Sequence, residues 1–251
     1  MSLKYSYARK LIDPCDLVLF RGIDKISKLI CKIEKMETND GDYSHVGVIV
    51  TKELLPNIEE LEPDRLYVLE STVTIHKFTD GVPDVRTKKT REGVQIRDLE
   101  LVVKMYTKNG GKVAWGKLIK NPYLYNKNDT IKKISNLVNK YGYRSYDFSI
   151  FDELSAAFTF LRPIRLKFEG FEYDGMKILS TLNITERKDM EDIKERVIFC
   201  SDLVCLVYQH IGLIPKSIDS KDVMPIEFIT ERTKGTKGTK VCNIVTELLP
   251  E

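Results

Sequence analysis

Three residues of the chain carry side chains that could together perform nucleophilic catalysis, namely Cys200, His45 and Glu70. Cys200 follows the apolar run 197–199 and precedes apolar residues at helical spacing over 203–211, so the thiol is predicted to lie at a helix N-terminus. The unpaired N–H groups there carry partial positive charge, which stabilises a thiolate and can lower a cysteine pKa from ~8.5 into the range ~3.5–7.5. The same groups can contribute to an oxyanion hole.

Each cysteine also has a simpler interpretation, because a lone thiol most often fills a core as a small apolar side chain. Cys31 and Cys205 lie inside apolar helical patterns and fit that interpretation. Cys15 and Cys242 have no candidate base near them in the sequence. Cys200 becomes the candidate nucleophile only if a base reaches it, since a thiol nucleophile requires one.

His45 is the best candidate for that base. It opens a predicted strand over 43–50, beside a polar turn, where an imidazole can reach the edge of a cleft. The alternative is that a strand histidine is only structural. His76 lies in a polar segment, and His210 is about ten residues along the predicted Cys200 helix. At ~1.5 Å per residue, His210 is some ~15 Å from the thiol, which excludes it as the base.

Glu70 is the candidate for orienting the base. It interrupts the apolar run 67–69, where a carboxylate costs free energy unless it is paired. A hydrogen bond from His45 would provide the partner and fix the imidazole tautomer, as the third member of a catalytic triad does. The alternative is that Glu70 faces solvent on an alternating strand.

A match to the phosphate-loop pattern GxxxxGK, at residues 111–117, does not predict nucleotide binding. The next residue is Leu118, so the hydroxyl that binds Mg²⁺ is missing, and Trp115 would crowd the loop. A hairpin explains the same residues, with strands at 99–105 and 112–118 and a turn at Asn109–Gly110.

Composition excludes several other classes of protein. The 251 residues carry 40 Lys and Arg against 37 Asp and Glu, without a basic stripe, so no nucleic-acid partner is expected. The N-terminus is too polar for a signal peptide, and no apolar run reaches the ~18 residues of a membrane span. The five cysteines form no CxxC pair and have no histidine at zinc-site spacing, so we expect no metal and no cofactor. Reduced thiols in a cytoplasmic compartment are the expectation.

The pattern of elements predicts an α+β fold in a single domain over 1–251, with early strands and late helices. Predicted strands, besides the hairpin, cover 16–20, 43–50 and 66–72. Predicted helices cover 23–35, 129–141, 148–161, 185–196 and the segment from Cys200 to near Gly212. Residues 233–240 are predicted to form a loop.

Four segments, taken in order, resemble the NlpC/P60 superfamily: 16–20, 44–50 (SHVGVIV), 68–71 (VLES) and 200–204 (CSDLV). The similarity is to its circularly permuted, papain-like branch, which includes YiiX-like bacterial proteins and relatives in large DNA viruses, with lecithin:retinol acyltransferase more distant. That branch has the order His, acidic or polar residue, Cys, as here. Segment 142–148 and the region of Pro225 agree as well, so the resemblance spans roughly residues 13 to 230.

The resemblance implies a permuted papain-like fold, in which an antiparallel sheet packs against helices and the nucleophile stands at a helix N-terminus. It implies Cys200 as nucleophile, His45 as base and Glu70 as orienting residue. The activity it implies is that of a cysteine peptidase or amidase acting through an acyl-thioester on an unidentified peptide, amide or lipid-ester substrate. A helical elaboration around 147–196 is expected to set specificity.

Two other functions stay open at this point. Lipid-active relatives transfer the acyl group to an alcohol or amine, and six phenylalanines could line an apolar cleft or simply fill the core: Phe148, Phe151, Phe158, Phe160, Phe168 and Phe171. The other function is non-catalytic, with a papain-like scaffold serving as a binding or virion component. A viral chain of this kind would occur in the virion or the host cytoplasm.

Overall fold

The computed structural model describes residues 1–23, 25–38, 42–72, 81–90, 93–142, 165–168, 171–174, 198, 200–230 and 238–251. The chain divides into two compact units, one formed by Met1–Ser145 with Ile198–Glu251 and the other by Tyr146–Val197. All three predicted catalytic residues belong to the first unit.

A seven-stranded mixed sheet lies at the centre of the first unit. Its strands are β1 (Ser2–Lys4), β2 (Leu17–Arg21), β3 (His45–Val50), β4 (Tyr67–Thr72), β5 (Gly93–Asp98), β6 (Lys112–Leu118) and β9 (Cys242–Leu249). The order is β1-β9-β6-β2-β3-β4-β5. The α+β prediction and the strands predicted at 16–20, 43–50 and 66–72 are confirmed. The expectation of a purely antiparallel sheet is wrong, because β1 pairs with β9 in parallel while the other neighbours are antiparallel.

The described helices of the first unit are α1 (Tyr5–Ala8), α2 (Lys25–Thr38), α3 (Leu99–Lys108), α4 (Pro122–Tyr125), α5 (Lys127–Tyr141) and α6 (Cys200–His210). Two short 3-10 helices follow α6, at Ser220–Asp222 and Pro225–Phe228. The helices predicted at 23–35, 129–141 and after Cys200 are confirmed as α2, α5 and α6. Within the residues the structure describes, no helix has both the length and the apolar character needed to cross a membrane.

The sheet is covered on both faces, and the two faces carry different parts of the site. Successive side chains of a strand point to opposite faces. On one face, apolar side chains of the strands pack against α3 in a buried core. On the opposite face, Ser71 bonds the backbone of Ile198, and α6 packs against β3 and β4. The core of the first face consists mainly of Val18, Phe20, Ile49, Val68, Leu99, Val102, Val103, Tyr106, Val113 and Trp115.

The hairpin prediction at 99–118 is wrong in its first arm, because Leu99–Lys108 is the helix α3. The buried residues of this segment recur at helical spacing, and the Asp98 side chain caps the helix by accepting from the Leu101 N–H at 3.0 Å. Gly110, at φ +81°, ends α3 in the left-handed conformation that glycine adopts most easily. The turn signal at Asn109–Gly110 is therefore a helix C-terminus.

The second arm, Lys112–Leu118, is the interior strand β6, so the phosphate-loop match is part of the sheet. The fully buried Asp16 holds the end of β2 against this strand. Its carboxylate accepts from Trp115 Nε1 at 2.8 Å and from the Leu118 N–H at 3.1 Å. Trp115, which would have crowded a phosphate loop, thus has a structural partner.

In the second unit, the described residues form one antiparallel hairpin of β7 (Arg165–Phe168) and β8 (Phe171–Asp174). Phe168 and Phe171 are opposite each other in this pairing. The helices predicted at 148–161 and 185–196, with the other four phenylalanines, lie outside the described residues. So do residues 233–237 of the predicted late loop.

Replacing Asp98 with alanine tests the cap of α3. The variant loses the acceptor for the Leu101 N–H, so we expect the free energy of unfolding to fall by about 1 kcal/mol in urea denaturation. Glu100→Ala, which removes an exposed carboxylate from the same turn, is the control and should change stability less. Equal stability of Asp98→Ala and wild type would contradict the capping role.

Candidate active site

The structure brings His45 and Glu70 into direct contact on the face of the sheet that packs against α3. His45 Nε2 and Glu70 Oε2 are 2.6 Å apart. The two residues are near-neighbours across the β3–β4 pair, in which Gly47 is opposite Glu70. The Glu70 side chain is fully buried and that of His45 is 14% exposed. The alternative of a solvent-facing Glu70 is therefore wrong.

Cys200 is the first residue of α6, as its sequence context predicts, and its thiol is hydrogen-bonded to the His45 imidazole. Since Nε2 of the ring is engaged by Glu70, Nδ1 is the nitrogen that faces the sulfur. Backbone N–H groups of Val46 and Ser201 also donate to the sulfur. The three residues predicted from the sequence thus form one continuous chain of contacts, Cys200–His45–Glu70.

The Cys200 sulfur contacts β3 at the point where the pairing of β3 with β4 ends. The pairing of these strands extends from Val50–Tyr67 to Gly47–Glu70 and stops one residue short of Val46. The Val46 N–H, which would continue the ladder, instead donates to Cys200. On β4, the next residue, Ser71, donates its hydroxyl to the Ile198 carbonyl and so fixes the segment that leads into α6. The end of the strand pair therefore seats the helix N-terminus.

Gly47 allows the close approach of β4 at the residue opposite Glu70. A Cβ at this position would lie 2.5 Å from Val68 Cγ2, 3.0 Å from the Leu69 carbonyl oxygen and 3.2 Å from Glu70 Cβ. Glycine is needed because the side chain of Val68, the Leu69 carbonyl and the base of the Glu70 side chain all approach this position too closely for a Cβ. The sequence analysis quoted Gly47 in a motif but did not assign it this role.

Arg97 of β5 is a site residue that the sequence analysis missed. Its Nε donates to Glu70 Oε1, so the carboxylate binds the imidazole with one oxygen and the guanidinium with the other. Arg97 is 1% exposed. The sequence analysis predicted no strand over 93–98, so nothing marked Arg97 as a buried charge that requires an anionic partner.

The charges of these groups depend on one another. Burial opposes ionisation of Glu70, but the Arg97 charge and the His45 hydrogen bond outweigh it and lower the Glu70 pKa to about 2. Burial also opposes the imidazolium, but the Cys200 thiolate and Glu70 raise the His45 pKa to about 9. For Cys200, burial favours the thiol, yet the His45 charge and hydrogen bond, with the two backbone N–H groups, lower its pKa. The site therefore favours a thiolate–imidazolium pair over neutral groups.

The Glu70 charge also stabilises the fold, and the sign follows from its pKa. A glutamate in the unfolded chain has a pKa of about 4.3. Because the folded value is lower, the stabilisation is complete above that pH and is lost as the pH falls through about 2.

The other cysteines differ from Cys200 in their electrostatic surroundings. Burial, assisted by neighbouring carboxylates, raises the pKa of each of them, to about 11 for Cys31 and about 12 for Cys205. All five are free thiols. His210 lies at the far end of α6, where Nδ1 contacts the Leu206 carbonyl at 2.9 Å, and His76 lies outside the described residues. Within the part of the chain that the structure describes, no group of three or more His, Cys, Asp or Glu is placed to hold a metal ion.

Comparison with known proteins adds little to this geometry. No family model matches the chain, and no curated protein matches it. Among solved structures, the chain is similar to the metalloprotein YiiX (DUF1105) from Escherichia coli O157:H7, with 14% sequence identity. The similarity covers 95% of this chain and 97% of that chain, with a TM-score of 0.42. Values this low do not define a shared family.

Gly47→Ala tests the close approach of β4 at this position. Two of the clashes involve backbone or branched side-chain atoms, so we expect the variant to lose about 1–3 kcal/mol of unfolding free energy and to displace Glu70 from His45. Gly81→Ala is the control, because its added Cβ meets only the flexible tip of Met105. A Gly47→Ala variant as stable as Gly81→Ala would contradict the role assigned to Gly47.

Proposed function

We propose that the protein is a cysteine-dependent hydrolase of amides or esters, a peptidase or amidase, with Cys200 as nucleophile, His45 as acid and base and Glu70 as orienting residue. The observation that carries the proposal is the unbroken chain of contacts from the helix N-terminal thiol to the buried carboxylate. The resemblance to permuted papain-like enzymes supports the same assignment, since the chain has their order of His, acidic residue and Cys.

In the first half-reaction, the Cys200 thiolate attacks the carbonyl carbon of the substrate and forms a C–S bond. The carbonyl electrons move onto oxygen, and the Cys200 backbone N–H at the start of α6 donates to that oxyanion. As the oxyanion collapses, the bond to the leaving amine or alcohol breaks. Protonated His45 transfers its Nδ1 proton to the leaving group, which departs neutral.

In the second half-reaction, neutral His45 removes a proton from water through Nδ1 while the water oxygen attacks the thioester carbon. Collapse of this second intermediate breaks the C–S bond, releases the carboxylic acid and regenerates the thiolate–imidazolium pair. Glu70 accepts from Nε2–H throughout and so keeps Nδ1 directed at the reacting atoms.

The pH dependence of Cys200 alkylation by iodoacetamide tests the ion pair. With the Cys200 pKa lowered and the His45 pKa raised to about 9, the wild-type rate should persist below neutral pH. An ordinary thiol of pKa ~8.5 is only about 1% ionised at about pH 6.5, so His45→Ala should lower the rate there at least about tenfold. Peptide mapping identifies the alkylated residue, and the other four cysteines, with raised pKa values, serve as internal controls. A wild-type rate that tracks an ordinary thiol and is unchanged in His45→Ala would leave the protein as a non-catalytic scaffold.

Acylation by p-nitrophenyl acetate tests the covalent step. Wild type should release p-nitrophenolate and acquire an acetyl group on Cys200, detected by intact-protein mass spectrometry and peptide mapping. Cys200→Ala should abolish this labelling, whereas Cys31→Ala, the matched control, should retain it. Loss of the acetyl group to water indicates a hydrolase, and loss only after an alcohol or amine is added indicates an acyltransferase. Acetylation that is equal in Cys200→Ala would remove Cys200 from the mechanism.

A further inference from the structure

Five side chains form a closed ring of contacts behind the candidate nucleophile: His45, Glu70, Arg97, Tyr106 and Phe20. Glu70 joins His45 to Arg97, and Arg97 is also hydrogen-bonded to the Tyr106 hydroxyl of α3. The Tyr106 and Phe20 ring centroids are 4.9 Å apart, and those of Phe20 and His45 are 5.1 Å apart. Glu70 thus holds the His45 imidazole at Nε2, and the Phe20 ring packs against the imidazole ring.

The charged members of the ring and the Cys200 sulfur together carry a balanced set of charges. With the thiolate and imidazolium formed, Cys200 and Glu70 are negative while His45 and Arg97 are positive, so the net charge is zero. After the proton has left with the leaving group, the acylated sulfur and the imidazole are neutral, and Glu70 and Arg97 still cancel. Without Arg97 the acyl-enzyme would hold one uncompensated buried anion, and burial in a low dielectric favours protonation of such a carboxylate.

A protonated Glu70 would reverse the hydrogen bond to His45. Release of the acyl group requires Nδ1 to accept a proton from water, so the proton of the neutral ring must be on Nε2. A neutral carboxylic acid would donate to Nε2 and leave the ring proton on Nδ1, and that tautomer cannot act as the base. The charge state of Glu70 therefore determines whether the second half-reaction can proceed.

We infer that Arg97 is a positioning residue for the proposed hydrolysis. It keeps Glu70 ionised in both half-reactions and, through Glu70, holds the His45 ring in the tautomer that activates water. The inference rests on the proposed function for its catalytic meaning. Among the described residues, the titratable and charged groups with the largest effects on these charges are Cys200, His45, Glu70, Arg97 and Tyr106.

The first test compares Arg97→Met with Arg97→Lys and Arg86→Met. Arg86 is a matched control, because it forms another buried ion pair, 2.6 Å from Asp84. Arg97→Met removes a positive charge near the thiolate, and protonation of Glu70 in this variant leaves the imidazolium without its anion. The acid limb of the pH profile of Cys200 alkylation should therefore move up by about one pH unit. Arg97→Lys retains the positive charge, so its pH profile should lie close to that of wild type. Arg86→Met should show no shift.

The acetyl-enzyme provides a second readout. Arg97→Met should lower the rate of deacetylation by about a hundredfold, the scale of lost general-base catalysis, while slowing acetylation less. A merely structural role would change both rates together, as Arg86→Met should. A folded Arg97→Met protein with the alkylation limb and deacetylation rate of Arg86→Met would overturn the inference. If Arg97→Met does not fold, Arg97→Gln removes the charge but keeps hydrogen-bonding groups and takes its place.

A third readout separates this inference from the proposed function. In Cys200→Ala the position of the sulfur carries no charge, as in the acyl-enzyme, and ¹⁵N NMR of the histidine rings reports the His45 tautomer without any turnover. The proton should reside on Nε2 in Cys200→Ala and shift toward Nδ1 in Cys200→Ala/Arg97→Met. Failure of acetylation in wild type would refute the hydrolase, whereas an unchanged tautomer in the double variant would refute the role of Arg97.

Discussion

The arrangement of the site depends on one buried carboxylate. Glu70 has no access to water, so its charge is tolerable only because both oxygens have partners, His45 on one side and Arg97 on the other. Removing one partner of such a pair typically costs about 3–5 kcal/mol, since the remaining charge stays buried. The same requirement fixes three neighbouring strands relative to one another, because β3, β4 and β5 each contribute one of the charged groups.

Regular secondary-structure elements, and not loops, position the three residues of the proposed triad. His45 is the first residue of β3, and Glu70 lies within β4. The thiol is at the N-terminus of α6, which packs on both strands. The two faces of the sheet meet at the end of the β3–β4 ladder, where the imidazole from one face reaches the sulfur of a helix on the other. Such an arrangement pre-organises the groups, so little reorganisation is needed when charge develops.

The sequence was sufficient for the three residues that make up the proposed triad. Their side-chain types are rare in the patterns around them: a thiol at a helix start, a histidine at a strand entrance, and a carboxylate in an apolar run. Arg97, Tyr106 and the Val46 N–H could not be found in the same way, because each acts through cross-strand register or helix packing. The mistaken hairpin contributed, since it hid the helix that brings Tyr106 to Arg97. Three strands of the sheet were also missed. β1 has three residues, β5 carries the polar residues Gln95 and Arg97 at buried positions, and β9 alternates only weakly between buried and exposed positions.

The amide of Val46 links the covalent state of the thiol to the sheet. Beyond the last β3–β4 pair, the Val46 N–H donates to the Cys200 sulfur instead of to a carbonyl of β4. A neutral thioether or thioester accepts far more weakly than a thiolate. Each turnover would therefore weaken and restore one backbone hydrogen bond at the end of β3, so solvent exchange of that single amide proton would follow the chemistry at sulfur from within the fold.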